Sequence, residues 1–459
     1  MSIQFLGFAI RHTPALLALS FLLGPAARGQ QTVLGTVQDR ESTLPNGFHL
    51  NEVDVSNSYS SISGGLDSLL GPNILALQGY SAAASVTTSY TNRGPYSNFS
   101  ILYTPSFVNL FHFSKHFWGQ ALAINLDERL GSHWTVRLSG AGRLESAQEF
   151  LFLPQGSIDT SSSPIGSGYS PTLLLSGPGL LFGTRILTFN ANAKATYSPT
   201  ERVHLSIEGQ GSEILARPDP GVTEVAVVPR ARLAGGVFSA DFNVTPRTNF
   251  GADAFVQEGW TTFGRYETAN AGLHLGRKLG RHWFVSAFGG YGWTTSVGGD
   301  TLHSVNDGTV SATGKIAYQT RQSSWTVAYH RQAGDGYGFG ASVTDGYSTT
   351  WDWHSLNRGW AIQVTGDRSQ LAGGAEAGID LWDAGVTVSR SLGRKVALGA
   401  GGSYLRESLA QGAQGQATVY SARVVLSWIP FLRDTLPLSG PPGQVDQDQQ
   451  QKTQGRTQE

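Results

Sequence analysis

The chain contains no cysteine and only one methionine among its 459 residues. The absence of cysteine excludes disulfides, thiolate metal sites and a lipid anchor attached to cysteine. Charged residues make up only 14% of the chain, against about 25% in an average soluble domain. So little charge indicates that much of the surface faces something other than water. The net charge of −1 gives no electrostatic basis for binding nucleic acid.

Long apolar runs are also missing beyond the N-terminus, where no segment approaches the ~20 apolar residues of a transmembrane helix. This excludes a helical membrane protein. The N-terminus itself has a basic pair, an apolar stretch from Ala15 to Leu23 and the small-residue pattern Ala27-Arg28-Gly29. These features predict a signal peptide over residues 1–29. The alternative is an uncleaved anchor helix, but Pro14 and Gly24 bound an apolar run too short to span a bilayer.

The main part of the chain repeats runs of about 10–14 residues that alternate apolar and polar side chains, each followed by a turn. One run has the apolar face Trp134, Val136, Leu138, Gly140, Gly142 and Leu144. A strand tilted across a bilayer needs about 9–11 residues, whereas strands of soluble proteins average about five or six. The pattern predicts a transmembrane β-barrel over residues 80–430. A periplasmic lead-in or linker at 30–79 precedes it, and a disordered periplasmic tail at 431–459 follows.

The connections between runs alternate between tight turns, such as Gly131-Ser132-His133, and longer loops, of which Gln148 to Arg185 is the longest. This alternation is typical of bacterial barrels. Counting turns predicts an all-β, antiparallel, up-and-down barrel of about 16 strands, within a range of about 14 to 18. The segment Tyr80 to Thr91 is then surplus. If it pairs instead with an earlier strand near Phe48 to Ser61, the count becomes eighteen.

Four tight turns lead directly into a tryptophan that begins an apolar strand face. These residues are Trp134, Trp283, Trp325 and Trp360. An indole at the start of a lipid-facing row is typical of the aromatic girdle, where the ring lies among lipid headgroups. The alternative is burial of these residues in a soluble β core.

The polar faces of the runs carry charges of both signs. The residues predicted to line the lumen are Arg137, Arg143, Lys194, His204, Glu208, Asp253, His274, Lys315 and Arg423. Such a set is typical of the wall of a water-filled lumen. The alternative is that these groups pair with one another and with interior loops, and so plug the barrel.

Few residues suggest catalysis. Asp352 and His354 share a strand face and could act as an oriented general base, but they lie close to a tight turn rather than at the loop rim. Asp300, His303 and Ser304 have the residue types of a triad in a predicted loop. Zinc-helix, P-loop and nucleophile-elbow motifs are absent. We therefore predict no enzyme, cofactor or metal site.

Together, the signal peptide, the two-residue alternation, the Trp-headed strands and the unequal loops resemble the porin-like outer-membrane β-barrel proteins of Gram-negative bacteria. The resemblance covers about three quarters of the chain, at superfamily level. It implies outer-membrane localisation, with outer-membrane lipids and the barrel-assembly machinery as partners. Such barrels usually end on an aromatic residue, whereas here residues 429–459 follow Trp428. Recognition of an internal final strand is then required.

The function predicted from these features is a pore for passive passage of small polar solutes. The alternative is a surface binding or anchoring barrel with a plugged lumen, whose long loops contact a partner. The resemblance is also compatible with an oligomer. The apolar parts of the loop from Gln148 to Arg185 further predict that this loop folds back and constricts the pore.

Overall fold

A computed structural model describes residues 46–64, 76–111, 115–146, 184–218, 231–261, 264–297, 307–335, 341–355, 359–372, 379–393, 395–409 and 416–430. The strands are β1 (Gly47–Gly64), β2 (Ala76–Arg93), β3 (Ser97–Leu110), β4 (Lys115–Leu130), β5 (Trp134–Ser146), β6 (Thr184–Tyr197), β7 (Val203–Pro218), β8 (Ala231–Thr245), β9 (Thr248–Thr261), β10 (Gly264–Leu279), β11 (Trp283–Val297), β12 (Asp307–Gln319), β13 (Ser323–Asp335), β14 (Ala341–His354), β15 (Trp360–Ala372), β16 (Ile379–Ser391), β17 (Val396–Leu409) and β18 (Gln416–Trp428).

Every strand pairs antiparallel with its neighbours in the sequence, and β1 also pairs with β18. The closing register joins Val53 to Trp428 and continues to Gly64 opposite Ala417. The result is a closed, up-and-down, 18-stranded barrel. Closure leaves no edge strand, so the backbone hydrogen bonds of the strands are satisfied within the sheet.

The predicted all-β barrel is confirmed, and its strand number lies at the upper end of the predicted range. The two strands beyond sixteen are β1 and β2, the pair that the sequence left as an alternative. The barrel begins at Gly47, so part of the segment assigned to a linker at 30–79 is strand. A β-bulge between Leu50 and Glu52 explains why β1 is hard to recognise. The bulge interrupts the two-residue period there, and both Asn51 and Glu52 are buried.

The two ends of the barrel differ in their connections. At one end, here named the short-turn end, each even-numbered strand joins the next through a brief link, such as 131–133 or 246–247. At the other end, here named the loop end, each odd-numbered strand joins the next. The longest of these connections covers residues 147–183. The predicted strict alternation does not hold throughout, because only residues 262–263 separate β9 from β10 at the loop end.

Several sequence predictions fall outside the described residues. They concern the signal peptide at 1–29, most of the long loop between β5 and β6, the triad candidates in 300–304 and the tail at 431–459. Within the part of the chain that the structure describes, no helix is long and apolar enough to cross a membrane.

The two faces of the sheet differ in chemistry. Large apolar side chains on the exterior remain exposed, including Ile207 at 64%, Val310 at 62% and Val424 at 51%. On β2 the interior positions are Ser85, Thr87, Ser89 and Thr91, which are buried. An exposed apolar exterior around a polar interior is the inverse of a soluble barrel, and it fits a protein surrounded by lipid.

Candidate functional site: the barrel interior

Strand alternation turns all nine predicted lumen residues toward the interior. On β12, for example, Ile316 is outward and 45% exposed, so the adjacent Lys315 lies on the inner face. On β7, the outward Ile207 places His204 and Glu208 inside by the same alternation. The structure brings some of the nine together on neighbouring strands and leaves others apart.

One row of charges crosses four adjacent strands near the short-turn end. The register places Arg137 of β5 opposite Asp127 of β4 and opposite Lys194 of β6, and places Lys194 opposite Glu208 of β7. Arg137 Nε donates to Asp127 Oδ1 at 2.5 Å. Lys194 Nζ lies 3.6 Å from Glu208 Oε2, and Asn192 also donates to Glu208. The Arg137 side chain remains 51% exposed, so this inner surface is open to water.

A second cluster spans β8, β9 and β10. His274 Nδ1 lies 2.6 Å from Asp253 Oδ2, and His274 Nε2 lies 2.7 Å from Asp241 Oδ1. Ionised carboxylates offer only acceptors, so a ring that bridges two of them donates from both nitrogens. The ring reaches Asp241 across β9 because Gly251 lies between them, where a Cβ would overlap the imidazole. The glycine is therefore part of the cluster.

A third group is acidic and lies on the opposite side of the barrel. Asp367 of β15 and Asp383 of β16 are directly opposite in the ladder and face the interior. Their interior neighbours are Ser348 and Leu405. Among the side chains that the structure describes on β13–β17, no Lys or Arg faces inward. This side of the interior therefore presents acidic side chains with no described cation beside them.

Several bulky interior side chains lie flat over glycines of a neighbouring strand. Tyr266 is 1% exposed and occupies the space where Gly259 lacks a Cβ, and its hydroxyl accepts from Gln257 Nε2 at 3.2 Å. His330 covers Gly346 in the same way. Side chains that lie along the sheet fill less of the interior than side chains that project from it. The glycine positions thus keep the interior clear.

The interior is not polar throughout. Val237 and Phe255 pack together on β8 and β9, and both are buried although they face inward. Phe288 of β11 is also buried. The inner surface is therefore apolar and packed at these residues.

Of the catalytic candidates, Asp352 and His354 lie within the described residues. Asp352 and His354 both face the interior near the short-turn end, but Asp352 Oδ2 accepts from Ser324 at 3.3 Å. The described contacts contain no hydrogen bond between Asp352 and His354. In the described ranges, no group of three or more His, Asp or Glu side chains is arranged to hold a metal ion.

The four predicted girdle tryptophans lie on the exterior at the short-turn end. Trp134 contacts Tyr197 with ring centroids 4.8 Å apart, and Trp283 contacts Tyr318 at the same distance. Trp325 stands in the row beside Tyr318, and the guanidinium of Arg390 lies 5.1 Å over the Trp360 ring. Their assignment to an aromatic girdle stays a prediction.

Sequence reasoning missed Asp241, Asp367 and Asp383. Asp367 lies seven positions after Trp360 on the same strand. Side chains an odd number of positions apart point to opposite faces, so alternation from the outward Trp360 would have placed Asp367 on the inner face. Its pairing with Asp383 depends on the register between β15 and β16, which the sequence does not reveal. The same holds for the reach of His274 across Gly251 to Asp241.

The fold and the interior define a class: a closed 18-stranded barrel with an apolar exterior and a charged interior. No family model and no curated protein matches the chain. Solved structures from Pseudomonas aeruginosa are similar to it. OpdO is 12% identical with a TM-score of 0.43, covering 83% of this chain and 96% of that chain. OccK2 (OpdF) in complex with glucuronate is 11% identical with a TM-score of 0.43, covering 83% and 98%.

OpdK with vanillate is 10% identical with a TM-score of 0.41, covering 82% of this chain and 97% of that chain. At such TM-scores, neither a function nor a residue correspondence transfers to this chain.

Proposed function

We propose that the protein is an outer-membrane channel for passive passage of small polar solutes. The observation that carries this proposal is the inverted chemistry of the closed barrel, apolar outside and charged inside. Barrels of about 16 to 18 strands leave an aqueous channel. With strands about 4.8 Å apart and tilted about 40°, the barrel is about 35 Å across between backbones. Side chains alone would not fill that space.

The charges divide the interior into two opposed surfaces. The described inner side chains of β4–β7 include four cations, Arg129, Arg137, Arg143 and Lys194, against two carboxylates, Asp127 and Glu208. The acidic surface of β14–β16 lies nine strands away in a ring of eighteen, which is diametrically opposite. A solute between them experiences a transverse field, which favours polar solutes over apolar ones.

Planar-bilayer conductance tests the proposal. The wild-type protein should form open channels. In a salt gradient, the double variant Asp367→Asn/Asp383→Asn should shift the reversal potential toward anion selectivity, because it removes negative charge. The double variant Arg137→Gln/Lys194→Gln should shift it toward cation selectivity. Arg390→Gln, on the exterior, is the control and should leave the reversal potential unchanged.

An absence of conductance would contradict the channel, provided that the protein is folded. Folding is judged by a gel mobility that changes when the sample is boiled. An absence of conductance would favour the surface binding barrel with a plugged lumen. The buried apolar group at Val237 and Phe255 is the feature most compatible with that alternative.

The orientation is part of the proposal, with the short-turn end in the periplasm and the loop end outside. The four exterior tryptophans at the short-turn end, Trp134, Trp283, Trp325 and Trp360, then lie at the periplasmic interface of the outer membrane. Since the chain has no cysteine, single cysteines report position without background. On intact cells an impermeant thiol reagent should label Phe111→Cys at the loop end and spare Ser132→Cys. The reverse labelling would invert the orientation.

A further inference from the structure

The short turns of the barrel are rich in arginine. Four arginines at three consecutive turns form what we name the basic cluster: Arg247 after β8, Arg277 near the end of β10, Arg281 in the turn that follows β10, and Arg321 after β12. All four side chains are exposed. Among the described residues of all the short turns, Glu201 is the one carboxylate, and it lies between β6 and β7. The basic cluster is therefore a positively charged surface at the short-turn end.

Backbone hydrogen bonds hold the turns of the basic cluster side by side. Lys278, next to Arg277, donates its backbone N–H to the carbonyl oxygen of Arg247 at 2.8 Å. A backbone hydrogen bond of the same length joins the turn that contains Arg281 to the end of β12. Consecutive short turns are two strands apart, or about 10 Å. This spacing is close to the Debye length of about 8 Å at physiological salt, so neighbouring charges of the cluster repel each other.

The basic cluster lacks counter-ions within the part of the chain that the structure describes. No described ion pair or hydrogen bond engages the four guanidinium groups. Asp241 of β8 and Asp352 of β14 face the interior and already accept hydrogen bonds from other residues. The three turns and the strand ends beside them contain no Asp or Glu at all, over residues 243–250, 277–285 and 317–325.

The sequence beyond β18 does not supply the missing anions either. Residues 431–459 carry four acidic side chains against three basic ones. That excess is too small to neutralise four arginines. The cluster therefore calls for an anion from outside the chain.

Exterior arginines at the loop end are in a different situation. Arg265, Arg331 and Arg368 each contact a carboxylate of a neighbouring residue. Their charges are thus compensated within the barrel. These three residues provide a matched control for the basic cluster, because they are exterior cations at the opposite end.

The exterior surface beside the basic cluster is apolar. Arg277 belongs to the outward row of β10, between Leu275 and Leu279, and both leucines are exposed. Phe250 of β9 is opposite Leu275, and Trp283 of β11 is opposite Leu279. Both aromatic residues are exposed as well. A ligand that has an anionic group and apolar chains matches both surfaces, whereas a soluble anion uses only the arginines.

The chemistry of arginine suits a phosphate group at this position. Its planar guanidinium donates two parallel hydrogen bonds to phosphate oxygens. Its aliphatic stem packs along apolar surface while the charged head stays in the polar region. Near an anionic lipid surface, each such cation strengthens binding by about fivefold.

We propose that the basic cluster binds the headgroup phosphate of an anionic phospholipid in the periplasmic leaflet of the outer membrane. The arginines hold the phosphate, and the acyl chains lie against Leu275 and Phe250. The assignment to that leaflet rests on the orientation given with the proposed function, in which the short-turn end is periplasmic. The binding of the lipid does not depend on that orientation.

Native mass spectrometry of the full-length protein in detergent tests the site, with dioleoyl phosphatidylglycerol and dioleoyl phosphatidylcholine as probes. Phosphatidylglycerol should bind more tightly, because phosphatidylcholine carries no net charge. The triple variant Arg247→Gln/Arg277→Gln/Arg281→Gln should weaken binding of phosphatidylglycerol by at least about tenfold. Binding of phosphatidylcholine should stay at the wild-type level.

Two further variants separate charge from structure. Arg265→Gln/Arg331→Gln/Arg368→Gln removes three positive charges at the loop end and should change the affinity for phosphatidylglycerol by less than about twofold, because that end lies beyond the Debye length. Arg247→Lys/Arg277→Lys/Arg281→Lys keeps the charges of the cluster and should retain most of the binding. Folding of every variant is checked by a gel mobility that changes when the sample is boiled.

Equal affinity of wild type and the glutamine variant for phosphatidylglycerol would overturn the proposal. So would a loss in the lysine variant as large as in the glutamine variant. Displacement of the lipid by millimolar glycerol phosphate, which lacks acyl chains, would indicate a site for a soluble anion and would also overturn it. A dimer mass that depends on the three arginines and replaces the lipid would identify a second copy as the occupant, against the proposal.

Conductance of the same preparation separates this inference from the proposed function. Open channels without lipid binding refute only the lipid site, and lipid binding without channels refutes only the pore. Thiol labelling of Ser132→Cys on intact cells tests the leaflet separately. Labelling of that residue would move the site to the outer leaflet and refute the assignment to the periplasmic one.

Discussion

Gly289 and Gly290 are consecutive residues of β11, yet their surroundings differ completely. A Cβ on Gly289, which points outward, would meet no atom within 4 Å. A Cβ on Gly290 would overlap the carbonyl oxygen of Ala271 and lie 2.7 Å from the Gly272 Cα. At this point of β11 the inner surface is thus closely packed and the outer surface is open.

The largest effect is expected from a charge introduced on the apolar outer face. Val424→Arg places a charge on an exposed apolar position of β18, four residues before Trp428 at the short-turn end, whereas Arg423→Gln alters the adjacent inner position. The outward charge should cost roughly 2–4 kcal/mol near the middle of the membrane, and the inner change should cost little. Urea titration of the protein in lipid vesicles, followed by gel mobility without boiling, measures both. Equal losses would mean that the two faces have been assigned incorrectly.

A smaller effect is expected from the interior cluster at His274. His274→Ala removes the group that contacts both Asp241 and Asp253, and Asp253 is buried. Leaving carboxylates without this partner should cost about 1–3 kcal/mol. His204→Ala, at another interior position, is the comparison and should cost less because the hydrogen bonds of His204 go to Ser198 and Asn243, which carry no charge. A smaller loss at His274 than at His204 would show that the three-residue cluster does not stabilise the barrel.

Much of this architecture was accessible from sequence because a two-residue period directly reports the two faces of a strand. The inward positions of Arg137 and Lys315 follow from that period alone. The bulge at Leu50 shifts the period in β1, which concealed the first strand pair. Contacts between strands depend on register and on glycines, so the joining of Asp241 to His274 over Gly251 and the opposition of Asp367 to Asp383 required the structure.

The smallest effect is expected from alanine substitutions at Gly289 and Gly290. Gly290→Ala introduces a methyl group against the backbone of β10, which cannot move aside as a side chain can, so about 1–2 kcal/mol of stability should be lost. Gly289→Ala adds the same methyl group on the open face and should be neutral or slightly stabilising, because alanine restricts the unfolded chain. The two variants share composition, strand and depth in the barrel. Paired urea titrations in vesicles therefore isolate the packing of the inner surface. If Gly289→Ala were the more destabilising of the two, the interior would not be the closely packed face, and the orientation of β11 side chains would have to be reversed.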